Sequence, residues 1–315
     1  MDRAQKPKSP LGAAKLSIFS NFILVSLKLT VGMITGSISV LSEALDSGVD
    51  LIASFIAWFS LKEAEKPPDK QHPYGHGKVE NISGVIEATL IFTGALFIIY
   101  QAVRRLYKGG DIVSINIGIA VMVLSIIVNL FVARYILSQA KSFDSIALEA
   151  DAWNIKTNAY SSGGVLTGLL IIRFTGLNFL DPVFAIGVAL FIIKVSYDVL
   201  RKSFTGLVDV KLPEEEENKI AAIINSHNEK YGYLVGFHDL RSRKAGRERH
   251  LDLHLVVCKD EKVKEVHDLC DHLEMDINKA FPNSHVVIHV EPCEEGAEDC
   301  SIDRCTNKPG YTWKK

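Results

Sequence analysis

The chain has 315 residues, 48% of them hydrophobic and 23% charged, with a formal net charge of −2. That apolar content excludes intrinsic disorder, five cysteines are too few and odd in number for a disulfide framework, and there is no basic excess to hold nucleic acid. The charge is unevenly spread: residues 1–207 carry 19 Lys/Arg against 15 Asp/Glu, residues 208–315 carry 16 against 22, and eight of the ten His and all five Cys lie after residue 207. Such segregation points to two regions in different solvents rather than to one soluble domain.

Six apolar stretches run at approximately 14–35, 38–61, 79–106, 115–140, 145–172 and 179–201. Each is long enough for a bilayer, which takes roughly 20 residues of helix. The basic segment Met1 to Lys15 leads into a full-length apolar stretch without a small-residue cleavage site, which predicts a first span and not a signal peptide. Gly36-Ser37, Gly109-Gly110-Asp111 and Gly176-Leu177-Asn178 are tight connections, and the long inter-span loop is Lys62–Lys78. Lys and Arg collect on one side, as Arg3, Lys6, Lys8 and Lys15, then Lys62, Lys66, Lys70 and Lys78, then Arg134 and Lys141. Arg104, Arg105, Lys108 and Arg173 stand on the other. The majority places both termini in the cytoplasm.

After residue 207 the pattern changes. Pro213 followed by Glu214–Glu217 suits the first turn of a helix, where acids meet the positive end of the dipole. Strands are predicted over 234–243, 249–257 and 284–291, and a helix over 261–280. In the second strand His250, Asp252 and His254 alternate with Leu251, Leu253 and Leu255. The order α-β-β-α-β is that of a small α+β sandwich. The expected organisation is a cytoplasmic N-terminal segment (1–13), a six-span membrane domain (14–207), a cytoplasmic α+β domain (208–293) and a Cys-containing polar tail (294–315).

The sharpest chemical feature lies inside the second span. Asp46 and Asp50, four apart, share one helix face, with Glu43 a turn earlier. Each intramembrane carboxylate costs about 2.5–3.5 kcal/mol on insertion scales and needs a partner, a proton or an ion. Two acids at ligand spacing predict a cation site; a protonated pair bonded within the bundle is the plain alternative. Asp151, Asn154 and Asn158 of the fifth span form a matching face, whose amides suit ligation or helix packing alike. In the loop, Asp69, His72 and His76 are of the types that bind zinc or a similar borderline cation, or that respond to pH. His238, His254, His267, His289 and Glu291 are spread over the tail domain as a third candidate set, with His285, Val287, His289 and Glu291 on one face of the last strand. His227, His250 and His272 read as surface residues. Cys293, Cys300 and Cys305, at spacings of 7 and 5, fit no common zinc knuckle and read as free thiols of a reducing compartment.

Three runs carry a family resemblance: Leu41-Ser42-Glu43-Ala44-Leu45-Asp46-Ser47-Gly48-Val49-Asp50, His72-Pro73-Tyr74-Gly75-His76-Gly77-Lys78-Val79-Glu80, and Gly236-Phe237-His238-Asp239-Leu240-Arg241. From about residue 12 to 293 the chain resembles the cation diffusion facilitators, in particular the bacterial zinc and ferrous-iron exporters of the YiiP type. The resemblance implies a homodimer in the bacterial inner membrane that exchanges a divalent metal (Zn, Fe, Mn or Cd) for protons by alternating access. It also implies a metallochaperone-like fold for the cytoplasmic domain. Asp46 and Asp50 would form half of the transport site, and Asp69, His72 and His76 the loop site. His238, His254, His267, His289 and Glu291 would bind a metal pair at the dimer interface. Lys78 and Asp209 would form an ion pair tying the two regions together. The exporters have His where Asn154 stands and Asp where Asn158 stands. The two amides imply either altered selectivity, toward harder cations such as Mn²⁺, Fe²⁺ or Mg²⁺, or a natural or engineered loss of transport that leaves a metal-binding scaffold or regulator.

Overall fold

A computed structural model of the chain describes residues 10–35, 38–108, 116–175 and 180–293. The three tight connections, Arg3, Lys6, Lys8, Cys300 and Cys305 lie outside the described residues, as do the side chains of Glu43, Arg105, Lys108 and Arg173. The chain divides after Leu207 into two compact units.

The first unit is six helices: α1 (Leu11–Thr35), α2 (Ile38–Ala64), α3 (Lys78–Lys108), α4 (Asn116–Phe143), α5 (Ile146–Thr175) and α6 (Leu180–Leu207). Among the described residues, five are long and apolar enough to cross a membrane, over Leu11–Ile34, Ala44–Ala64, Lys78–Arg104, Val123–Phe143 and Pro182–Leu207. The exception is α5, whose first half carries Glu149, Asp151, Asn154, Lys156 and Asn158. Packing explains how it is accommodated, because α5 touches all five of the other helices. Its polar residues face protein, and Asp151 is wholly buried. Outward positions are apolar instead, with Phe19, Phe22, Phe55, Phe59 and Phe131 all exposed, as a lipid-facing surface requires.

Without a hydrophobic drive between helices in lipid, small residues let backbones approach closely. Ala13, Ala57, Ala88, Ala133, Ala147, Ala152 and Ala189 are accordingly buried between helices. The α3–α6 crossing is tightest at Gly84 and Gly206: a Cβ there would meet Ser203 Oγ at 2.3 Å and Asn81 Nδ2 at 2.2 Å. Asn81 Nδ2 also donates to Ser203 O at 3.1 Å, joining the same two helices.

The second unit comprises α7 (Glu214–Tyr231), β1 (Leu234–Ala245), β2 (Glu248–Val257), α8 (Val263–Ala280) and β3 (Ser284–Pro292). α7 opens on four glutamates; Glu216 receives Arg249 through Nε at 2.8 Å and Nη2 at 3.1 Å. It stops at Gly232, whose left-handed φ of 53° only glycine adopts at little cost. β1 and β2 form an antiparallel hairpin, and α8 carries the chain over to β3, parallel to β2, giving sheet order β1-β2-β3. Leu251, Leu253 and Leu255 point into a core with Ile220, Ile224, Leu269, Leu273 and Ile277. Because strand side chains alternate, His250, Asp252 and His254 occupy the other face, which neither helix covers. Leu253→Ala is therefore expected to destabilise this unit by about 2–5 kcal/mol. The readout is faster hydrogen exchange at the amides of 251–255 in the full-length protein.

One surface expectation is corrected: His227 is only 4% exposed. It continues the stripe of Ile220 and Ile224 at helical spacing, its Nδ1 lies 3.0 Å from Ile223 O, and its Nε2 lies 3.4 Å from Asp276. His250 is half-buried and stacked on His285 with ring centroids 5.1 Å apart. Burial, then the charge of Arg243, pushes its pKa down to about 4. His272 is exposed and meets Tyr231 OH at 2.8 Å. Cys293 and Cys258 are buried and Cys270 is half-buried.

Candidate metal centres

The first centre lies between α2 and α5. Asn154, 6% exposed, donates from Nδ2 to Asp50 Oδ1 at 3.4 Å, and the Asn158 amide hydrogen-bonds the same carboxylate. Asp46, one turn earlier on α2, is close enough for its charge to act on Asp50. Asp46, Asp50, Asn154 and Asn158 thus meet at one place, because α5 packs against every other helix of the bundle, whereas Asp151 of the same expected face is bonded by Ser54 of α2 instead. A fifth participant was not anticipated. Lys28 of α1, 6% exposed, donates from Nζ to Ser47 Oγ at 2.9 Å, and its charge also acts on Asp50. The signal for it was present: a lysine in the middle of the first span is as costly as the acids in the second.

The second centre is the loop between α2 and α3. Asp69 Oδ1 accepts the backbone N–H groups of His72 at 2.7 Å and Gln71 at 2.8 Å, folding the loop around the carboxylate. His72 Nδ1 lies 3.2 Å from Asp69 Oδ1 and His76 Nε2 lies 3.4 Å from Oδ2. Ligand atoms of all three lie within 4.8 Å of one another, an arrangement able to hold a metal ion. The bond from the His72 backbone, above all, holds the Asp69 carboxyl below its usual pKa. Asp69 and His72 are exposed whereas His76 is buried.

The third centre crosses the sheet. His238 on β1, His254 on β2 and His289 on β3 stand in register across the three strands. Glu291 binds two of them, with Oε2 at 2.9 Å from His238 Nε2 and Oε1 at 2.9 Å from His254 Nδ1, and His289 Nε2 lies 3.7 Å from Oε1. The bond from His238 and then that from His254 hold the Glu291 carboxyl below its usual pKa. Three imidazoles and a carboxylate fit a zinc-like ion in type and number. Asp239, overlooked in the sequence, joins them: a bulge between His238 and Arg241 turns it to φ 49°, and its carboxylate lies 3.7 Å from His238 Nδ1. Beside the histidines, Val287 is 63% exposed.

His267 is not brought to this cluster within one chain. It sits on α8, which packs on the leucine face of the sheet, whereas the cluster occupies the opposite face. Its side chain is 70% exposed and its Nε2 lies 3.6 Å from Asp271. Of the remaining pair, Lys78 Nζ reaches Leu207 O at 3.4 Å, and Asp209 receives Arg243 Nη1 at 3.3 Å.

Similarity to known proteins falls along the same division. Residues 14–208 match the cation efflux transmembrane domain and residues 212–293 the cytoplasmic domain of cation efflux proteins. The uncharacterized transporter sll1263 of Synechocystis sp. is 34% identical over 282 residues, 90% of each chain. The cation-efflux pump FieF of Yersinia pestis is 30% identical over 274 residues, 86% of this chain and 89% of that one. A solved structure of CzrB in its Zn form is 43% identical over 27% of this chain and 92% of that chain, with a TM-score of 0.25. With both domain families matched in order over almost the whole described length, the chain belongs to the cation diffusion facilitators and is a multi-pass membrane protein that exports divalent cations.

Proposed function

We propose that the protein carries a divalent cation out of the cytoplasm in exchange for protons, binding it at Asp46, Asp50, Asn154 and Asn158. The observation that carries this reading is the Asn154–Asp50 hydrogen bond across α2 and α5, with the Asn158 amide bonded to the same carboxylate and the Asp46 charge beside it. Half a turn of each amide presents its carbonyl oxygen, making an all-oxygen shell. Such a shell suits Mn²⁺, Fe²⁺ or Mg²⁺ over Zn²⁺, which gains most from imidazole and thiolate. In liposomes under a pH gradient, Mn²⁺ and Fe²⁺ are expected to accumulate ahead of Zn²⁺ and Cd²⁺. Failure of all four would leave the scaffold reading, in which only the soluble domain binds metal.

The proposal places the protein in a bacterial inner membrane with both termini in the cytoplasm, as the positive-inside bias supports. It includes an ion pair of Lys78 with Asp209 that couples the two regions. A charge-swapped Lys78→Asp/Asp209→Lys chain should transport better than either single variant, and an equal deficit would count against the pair.

The soluble domain is proposed to bind regulatory metal at His238, His254, His289 and Glu291, and to dimerise over this face. The unpartnered sheet face and the exposed Val287 support that surface, and a second copy is the natural source of His267. Glu291→Ala should weaken metal binding by roughly 10–100-fold, the usual loss when a group ordering metal-binding imidazoles is removed. Chelator or His289→Ala should loosen the dimer, measured by light scattering of the full chain. A dimer indifferent to both would end the sensing idea. Asp69, His72 and His76 are proposed as a further metal site at the cytoplasmic side; an unchanged metal count in Asp69→Ala/His76→Ala would refute it.

A further inference from the structure

Lys28 lies deep in a span that carries no acid of its own, since α1 contains neither Asp nor Glu. Its side chain is 6% exposed, and Nζ donates at 2.9 Å to Ser47 Oγ of α2, a residue only 7% exposed. A buried ammonium in a membrane requires a counter-charge. Helical geometry on α2 says where it comes from. Ser47 directly follows Asp46 and stands three residues before Asp50, and side chains three apart on a helix have Cβ atoms about 5–6 Å apart. Asp151 of α5 is engaged elsewhere: Ser54, about two turns along α2 from Ser47, bonds it at 2.9 Å. Ser54 also meets Ser17 and Asn21, which lie about two turns or more before Lys28 on α1. The hydrogen bond to Ser47 therefore anchors the Lys28 ammonium against Asp46 and Asp50, on the side of the centre that α1 covers.

That anchor shapes what the centre binds. Asn154 reaches Asp50 from the α5 side at 3.4 Å, and neither it nor Asn158 brings any charge. The ammonium thus supplies one positive charge to a pair of carboxylates. A monovalent cation offers the acids no more than Lys28 already gives them. A divalent cation offers twice as much, so it gains where a monovalent ion does not. Lysine is suited to give way, because it is a point charge on a flexible four-carbon stem. The stem lets the ammonium withdraw from the acids as a dication arrives and return when it leaves. Repulsion between the two positive charges, strong where water is scarce, lowers the affinity for the bound ion.

We propose that Lys28 is the resident counter-ion of the transport centre: it neutralises part of the acids' charge when no cation is bound, yields to a divalent cation and holds off monovalent ones. The proposal deepens, and rests on, the assignment of Asp46, Asp50, Asn154 and Asn158 as that centre. Two properties of the carrier follow. When the centre is empty, its carboxylates are not left bare inside the membrane while the protein turns from one face to the other. When it is loaded, Lys28 keeps the cation from binding too tightly to be released.

The test measures Mn²⁺ binding to the full chain in detergent by equilibrium dialysis. Ionic strength is held constant with choline chloride, and K⁺ then replaces choline. Binding at the transport centre is the part lost in Asp46→Asn/Asp50→Asn. Lys28→Gln drops the charge but keeps an N–H for Ser47 Oγ, so a role in packing alone survives it. It is expected to bind Mn²⁺ at least about tenfold more tightly than the unaltered chain in choline, and to lose part of that gain in K⁺. Lys28→Arg, which keeps the charge, is expected to show neither change. Equal or weaker Mn²⁺ binding by a Lys28→Gln chain that elutes as folded protein would overturn the counter-ion, and indifference of that chain to K⁺ would overturn the selection against monovalent ions. The unaltered chain supplies a reading that depends on no variant's folding: its Mn²⁺ affinity is expected to be the same in both salts, and competition by K⁺ would overturn the proposal. If Asp46→Asn/Asp50→Asn lost no Mn²⁺ binding, the transport centre itself would be overturned instead.

Discussion

Asp50→Ala is expected to abolish cation transport, by at least about 100-fold, since losing one partner from a buried charge cluster costs about 3–5 kcal/mol and each 1.4 kcal/mol is tenfold in affinity. The size of the effect follows from the composition of the centre. With amides at 154 and 158, only Asp46 and Asp50 bring negative charge, and Lys28 already opposes it with its own. Removing Asp50 leaves one carboxylate against one ammonium, a neutral site with no reason to bind a dication. The same change removes one of the two carboxylates beside Lys28, so loss of folded protein has to be separated from loss of function. Lys28→Met added to Asp50→Ala removes the opposing charge as well; it is expected to yield folded protein, measured by detergent gel filtration, and no transport. Full transport by a well-folded Asp50→Ala chain would place the cation path elsewhere.

The second large effect concerns selectivity. Asn154→His/Asn158→Asp supplies one imidazole nitrogen and one further negative charge at positions already directed at Asp50. Zinc gains most from this change, because it takes four tetrahedral ligands and favours nitrogen donors. The ratio of Zn²⁺ to Mn²⁺ transport is expected to rise by roughly 100-fold, about 2.7 kcal/mol of differential binding. Competition between the two metals in liposomes reads this ratio directly. A double variant that moves Zn²⁺ while the unaltered chain moves neither metal would identify the amides as an off-switch. An unchanged ratio would show that 154 and 158 do not touch the cation.

Much of the architecture was legible because it is local. Apolar length predicted the six helices, and the alternation of Leu251, Leu253 and Leu255 with His250, Asp252 and His254 predicted which face of β2 meets the core. Element ends moved only slightly: β1 runs on to Ala245, and α8 starts at Val263. His227 was misplaced because its residue type outweighed its position in the Ile220–Ile224 stripe. Asp239 was missed because the bulge that turns it toward His238 depends on pairing with β2.

Spacing along the chain determined by itself that Asp46 and Asp50 share a face and that Asp69, His72 and His76 share a loop, since a backbone period relates residues a few positions apart whatever surrounds them. Tertiary structure alone decided that α5 is the helix every other membrane helix touches. It alone decided that Lys28 meets Ser47, that His267 lies across the sheet from His254, and that Ser54 bonds Asp151, 97 residues away. Those contacts depend on which faces the packed helices and strands turn toward one another. A buried charge in a sequence announces that a partner is needed; the packing of the chain selects the partner.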